Sequence, residues 1–133
     1  MGEYDRAMEM YEVSLQAKRQ LLGGNHPDLA LSFNNIAVLF TKTKNFSKAR
    51  RFYEEALSIR ISCLGPTHPD VAQSHNNLGT LKLQIDEVEE ATSHFCSALK
   101  VLTEIFGEDP MHSEVAQTML NIANALQRIG SAD

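Results

Sequence analysis

An all-α fold of stacked helix pairs is what this chain of 133 residues predicts, on three observations. The segment Gly23-Gly24-Asn25-His26-Pro27-Asp28-Leu29-Ala30 returns 42 residues later as Gly65-Pro66-Thr67-His68-Pro69-Asp70-Val71-Ala72, and residues 23–64 align with 65–106 at 12 identities without a gap. Apolar residues recur at helical spacing through six segments separated by short polar turns. No alternating run and no Asn-Gly hairpin turn interrupts them, so strands are not expected. A repeat of this length is a helix pair that cannot bury its apolar face alone and stacks on its neighbours to do so.

The first helix is expected over 4–22, with Tyr4, Ala7, Met8, Tyr11 and Leu15 at i, i+3 and i+4 spacing; it matches the second half of the repeat unit. The second, 27–42, carries Leu29, Phe33, Ile36, Ala37 and Phe40 on one side, and the third, 47–64, carries Ala49, Phe52, Tyr53, Ala56, Leu57 and Ile59. The fourth and fifth, 69–85 and 87–106, repeat these two; the sixth, 113–129, matches the first half of a further unit, after a slip of two residues beyond Gly107. Residues 1–133 thus read as a single domain: a half repeat at 4–22, full repeats at 23–64 and 65–106, and a half repeat at 107–129. Starting and stopping inside a repeat marks the chain, on this reading, as a fragment of a longer array.

Gly23 and Gly65 fall where helices should end, at a position that favours a left-handed residue. Asn25 and Thr67 then read as N-caps, with Thr67-x-x-Asp70 as a variant capping box and Pro27 and Pro69 in the first turn, where a missing N–H costs nothing. Small residues recur once per repeat, Ala49 with Ala91, Ala56 with Ala98, and Ala37 with Gly79; Ala7 and Ser14 hold two of these positions in the first helix. They let antiparallel helices approach closely, while Tyr11, Tyr53 and Phe95 fill the space between repeats.

Composition excludes several classes of function. A net charge of −5 lacks the basic footprint of a nucleic-acid binder. No run approaches the roughly 20 apolar residues of a membrane span, and the N-terminus has no secretory pattern. Cys63 and Cys96 stand apart without CxxC spacing, which reads as reduced thiols in a cytoplasmic protein. His75 and His94 lack acid or cysteine partners at ligand spacing, so no metal and no cofactor is expected. With no P-loop, GxGxxG or GxSxG and no nucleophile constellation, the chain does not read as an enzyme. Glu87, Glu89 and Glu90 read as a solvated acidic helix start.

His68-Pro69-Asp70-Val71-Ala72-x-Ser74-x-Asn76-Asn77-Leu78, followed by Ala91-x-x-x-Phe95-x-x-Ala98-Leu99, resembles a tetratricopeptide repeat, and more closely the 42-residue variety of kinesin light chains and nephrocystin-3-like proteins. Departures are His75 for Phe33, Lys82 for Phe40, and the absence of the usual loop glycine at Lys44-Asn45 and Asp86-Glu87. The resemblance implies a right-handed α-solenoid whose first-of-pair helices line a concave groove that binds a short linear peptide, the work of an adaptor or scaffold.

On that pattern the groove takes Leu31, Asn34, Asn35, Val38 and Lys42 from the first full repeat, and Gln73, Asn76, Asn77, Thr80 and Gln84 from the next. The last helix adds Gln117, Leu120, Asn121, Asn124 and Arg128. A carboxamide donates to one peptide carbonyl and accepts from one peptide N–H at once, so Asn35, Asn77 and Asn121 suit an extended ligand backbone. No acid falls in this set, and Lys42 and Arg128 are expected to favour an acidic linear motif. The basic clamp with which one subclass grips chaperone tails is largely missing, since Leu31, Gln117 and Asn121 stand where it uses Lys or Arg. The apolar residues of the end helices, Ile122, Leu126 and Ile129 among them, also allow a homo-oligomer through exposed ends.

Overall fold

The computed structural model describes residues 2–109 and 111–131, and all regular structure among them is helical. Six helices follow in order: α1 (Glu3–Leu22), α2 (Pro27–Lys42), α3 (Phe46–Leu64), α4 (Pro69–Gln84), α5 (Val88–Phe106) and α6 (Ser113–Ser131). They fall into two compact units, Met1–Gly65 and Pro66–Asp133, divided within a residue of the expected repeat boundary. In unit 1, α1 packs on α2 and α2 on α3; in unit 2, α5 packs on both α4 and α6, and α4 touches α6.

The helix starts correct one expectation. Asn25 and Thr67 do not cap: the N-caps are His26 and His68, whose Nδ1 atoms accept from the backbone N–H of Asp28 and Asp70 at 3.1 and 3.0 Å. Proline at the first helical position pushes the residue before it into extended backbone, which is where an N-cap must sit, so the cap falls one residue later than composition indicates. Asn25 and Thr67 instead reach the last turn of the second helix of their own pair, Asn25 Nδ2 donating to Ser62 Oγ on α3 at 2.9 Å and Thr67 Oγ1 donating to Glu104 Oε2 on α5 at 3.4 Å.

Within each pair the turn is short. α2 ends in a Schellman motif, with Asn45 N–H donating to Phe40 O at 2.8 Å and Lys44 N–H to Thr41 O at 3.0 Å; α4 ends likewise through Glu87 to Lys82 O and Asp86 to Leu83 O. The motif needs a left-handed residue, and it falls on Lys44 (φ 64°) and Asp86 (φ 65°), where glycine would be the unstrained choice.

The repeated small residues are the seam. Ala37, Ala49, Ala56, Ala91 and Ala98 are fully buried, with Tyr53 and Phe95 buried beside them. A Cβ on Gly79 would lie 2.5–2.9 Å from the Phe95 ring, so only glycine fits there. Phe95 gathers Ala91, Ala125, Leu83, Val88 and Ile122 into one cluster, and Leu102 gathers Ala72, Ala98 and Val115 into another.

The two pairs fill equivalent space with different chemistry. In unit 1, Phe52 stacks on Phe33 and Phe40 at centroid distances of 5.6 and 5.5 Å. The same three repeat positions in unit 2 are His94, His75 and Lys82. His75 and His94 face each other with Nδ1 atoms 3.2 Å apart, and burial followed by the neighbouring imidazole pushes His75 below the usual histidine pKa. Lys82 is buried and bridged by Glu87 and Glu90 at 2.7 and 2.8 Å. Burial alone would lower its pKa, but hydrogen bonds and charge from the two glutamates outweigh that and hold it above the usual lysine value. Glu87 and Glu90 are therefore counter-ions of a buried lysine as well as a solvated helix start, and His75 and His94 are a contacting pair.

Candidate functional site

The outward face of α2 is an exposed stripe of Leu31, Asn35, Val38 and Lys42, whose spacing of four, three and four residues keeps them on one side. Two aliphatic side chains, 52% and 40% exposed, flank a carboxamide there. Asn34 departs from the expected set. It is buried on the side of α2 that carries Ala30 and Ala37, and its carboxamide oxygen accepts from both Nη1 and Nη2 of Arg60 on α3 at 2.9 Å. A guanidinium has only donors, so the amide turns its oxygen inward, and Asn34 ties α2 to α3 through that oxygen.

In unit 2, α4 exposes Gln73, Thr80 and Gln84 and half-buries Asn76 and Asn77. Asn76 donates from Nδ2 to Thr118 Oγ1 on α6 at 3.0 Å, and Thr118 donates onward to Glu114 O. On α6, Gln117 Nε2 donates to Asn121 Oδ1 at 3.2 Å, an amide ladder along a face that also exposes Leu120 and Asn124. Arg128 is engaged: Nη1 donates to Leu83 O and Nη2 to Asp86 Oδ1, both at 2.9 Å. Its charge is answered by Asp86, and the hollow beside it is lined by Asp86, Glu87, Glu89 and Glu90, so this end of unit 2 does not favour an acidic ligand as expected.

A cleft of about 390 Å³ opens between the N-terminal halves of α4 and α6, with Leu102 of α5 among its walls. Gln73, Asn76 and Gln117 of the expected set line it, and so do Pro69, Ala72, Ser113 and Glu114. Glu114 is an acid where none is expected. Its place follows from the two-residue slip after Gly107, which the alignment shows but which hides which first-turn residue of α6 meets α4.

The tetratricopeptide repeat profile matches residues 1–62 and 44–104, and the chain belongs to the tetratricopeptide repeat family. Among solved structures it is similar to BtubC (BKLC) from P. vanneervenii, at 27% identity and TM-score 0.86 over 97% of this chain and 51% of that one. It shares the fold of a Podosopora anserina protein assigned as a kinesin light chain with nearly identical TPR-like repeats, at 19% identity and TM-score 0.79 over 98% of this chain and 61% of that one. A variant form of that protein aligns at 19% identity and TM-score 0.80, over 98% of this chain and 60% of that one. The chain thus spans about half to three fifths of the length of these proteins. No curated protein matches it. Its class is the all-α helical-repeat solenoid of tetratricopeptide repeats, a fold that generally mediates protein–protein interaction and is typically non-enzymatic. No helix among the described residues is long and apolar enough to cross a membrane.

Proposed function

We propose that the chain is a cytoplasmic, non-catalytic interaction module that holds an extended peptide segment of a partner protein. In unit 1 the α2 stripe would take it, Asn35 gripping backbone between Leu31 and Val38, with Lys42 at the end. In unit 2 the amides of α4 and α6 would do the same, Asn77 and Asn121 foremost, with Gln73, Thr80, Gln84, Gln117 and Asn124 around them. The observation that carries this reading is that the outward faces of the first-of-pair helices are mostly carboxamides and aliphatic side chains, with the exposed charges Asp28, Lys42, Glu114 and Arg128 confined to the helix ends. Selection from a displayed library of unstructured peptides tests it. Binders are re-measured against an Asn35→Ala, Asn77→Ala, Asn121→Ala variant of unchanged helicity, and affinity should fall by more than about tenfold. Equal affinity for both proteins would move the site off these faces.

A second reading, self-association, is favoured by two helix faces that no other described helix covers. Met10 of α1, the counterpart of Phe52, is 75% exposed, and Ser14 is exposed where Ala56 and Ala98 are buried. On α6, Met119 and Leu126 are exposed at the positions of Phe33 and Phe40. One face belongs to a second-of-pair helix and the other to a first-of-pair helix, so two copies are complementary head to tail. Sedimentation decides it. Met10→Glu and Leu126→Glu should each be monomeric alone, and their equimolar mixture should form a dimer and nothing larger; a wild type whose mass is independent of concentration ends this reading.

A further inference from the structure

The two units treat one pair of repeat positions in opposite ways. In unit 1, Asn34 and Arg60 are 6% and 4% exposed, and the guanidinium donates twice to the Asn34 carboxamide oxygen. One period later the same positions are Asn76 and Leu102. The asparagine persists and its donor does not. Asn76 Oδ1 is left buried without a hydrogen-bond partner, and the cleft of about 390 Å³ lies beside it, with Leu102 where the arginine would stand.

Three features of this cleft select a ligand. The orphaned carbonyl oxygen wants a donor, because a buried acceptor without one is costly. Glu114 lines the cleft, is exposed, and forms no ion pair among the described residues, so a cation is favoured over a neutral donor. Ala72 and Leu102 supply apolar wall for a methylene stem or the flat face of a guanidinium. An ammonium would satisfy the charge but not the planar fork that the Asn34–Arg60 pair shows this carboxamide accepting.

We propose that the unit 2 cleft binds the guanidinium of an arginine side chain supplied by a partner, taking in trans the group that unit 1 carries in its own chain. A small rotation of the Asn76 side chain brings Oδ1 to the incoming donors, and Glu114 closes on them from α6. The proposal deepens the peptide-binding reading by naming one side chain of the peptide, an arginine.

The test uses N-acetyl-arginine amide, with N-acetyl-citrulline amide as its neutral isostere and N-acetyl-lysine amide as its charge control, followed by NMR titration of the intact chain. The arginine probe should bind saturably in the weak range that suits one side chain, shifting Asn76, Glu114 and Gln117. Citrulline and lysine should bind at least about tenfold more weakly, and Glu114→Gln should weaken the arginine probe by a similar factor. Leu102→Arg should fill the cleft from within and abolish probe binding; if that variant does not fold, Glu114→Gln and the citrulline comparison decide alone. Absence of arginine binding, equal binding of citrulline, or shifts away from the cleft would overturn the proposal. The peptide-binding reading fails separately, through the triple asparagine variant: loss of peptide affinity there with no arginine uptake removes only the cleft, and arginine uptake with unchanged peptide affinity removes only the asparagine faces.

Discussion

Single residues carry strain and charge that the repeat pattern alone would not place there. Lys44 holds a left-handed backbone at the end of α2, a conformation that costs an L-residue roughly 1–2 kcal/mol and glycine almost nothing. Lys44→Gly should therefore stabilise unit 1 by about 0.5–1 kcal/mol after the extra unfolded-state freedom of glycine is subtracted, read as a melting temperature raised by a few degrees. Asp86→Gly gains the same relief but loses the 2.9 Å bond from Arg128, so its gain should be smaller. His75 makes a different demand. Its pKa is lowered in the fold from 6.5, so the unfolded chain binds more protons between the folded value and 6.5. Stability from this site is complete above pH 6.5 and is lost as pH falls through the folded value. A His75→Phe, His94→Phe variant restores the ring pair of unit 1 without a titrating group. Thermal melts should show its advantage over wild type growing from neutral to mildly acidic pH, whereas a constant difference would mean that His75 does not titrate as its burial implies.

At the scale of elements, the helix seam sets size limits that differ between otherwise matching pairs. Gly79→Ala would drive a Cβ into the buried Phe95 ring and should destabilise unit 2 by about 1–2 kcal/mol, overpacking exceeding the gain in helix propensity. Ala37→Gly, the reverse change at the matching site, should also destabilise, by about 1 kcal/mol, because it loses propensity and leaves a gap; denaturant unfolding of both variants checks the two signs. The helices and their ends are legible in the sequence because period, glycine stops and proline starts all act within a few residues of one another. The N-caps shift by one because proline constrains its neighbour more strongly than asparagine or threonine prefers the cap. The outward stripe of α2 is legible for the same local reason. Asn34 is not, because its partner Arg60 lies 26 positions away on α3, and nothing in a run of two asparagines says which one turns inward. Leu102 in place of Arg60 is visible in the 42-residue alignment, but it acquires meaning only when Asn76 is found without a partner.

At the scale of the molecule, the distribution of charge predicts how a ligand is held. The chain carries 12 lysines and arginines against 17 acids, and many of the cations are occupied internally. Lys82 is bridged by Glu87 and Glu90, Arg128 by Asp86, and Arg50 and Arg51 pair with Glu54 and Glu55 one turn on. Arg19 lies over the Phe33 ring and near Glu55. The faces assigned to the peptide are left with carboxamides, aliphatic side chains and Lys42, and the cleft with Glu114. Hydrogen bonds between carboxamides and a peptide backbone are insensitive to ionic strength, and a single ion pair in a half-open cleft is only partly screened. Raising salt from about 0.05 to about 0.5 M should therefore weaken a selected peptide by less than about tenfold, measured by calorimetry at both concentrations. A ligand held by an array of surface charges would instead lose affinity steeply and associate much faster at low salt. Steep loss here would mean that charges rather than amides hold the peptide, and would transfer the binding face from the outward sides of α2, α4 and α6 to the acid-lined hollow beside Arg128.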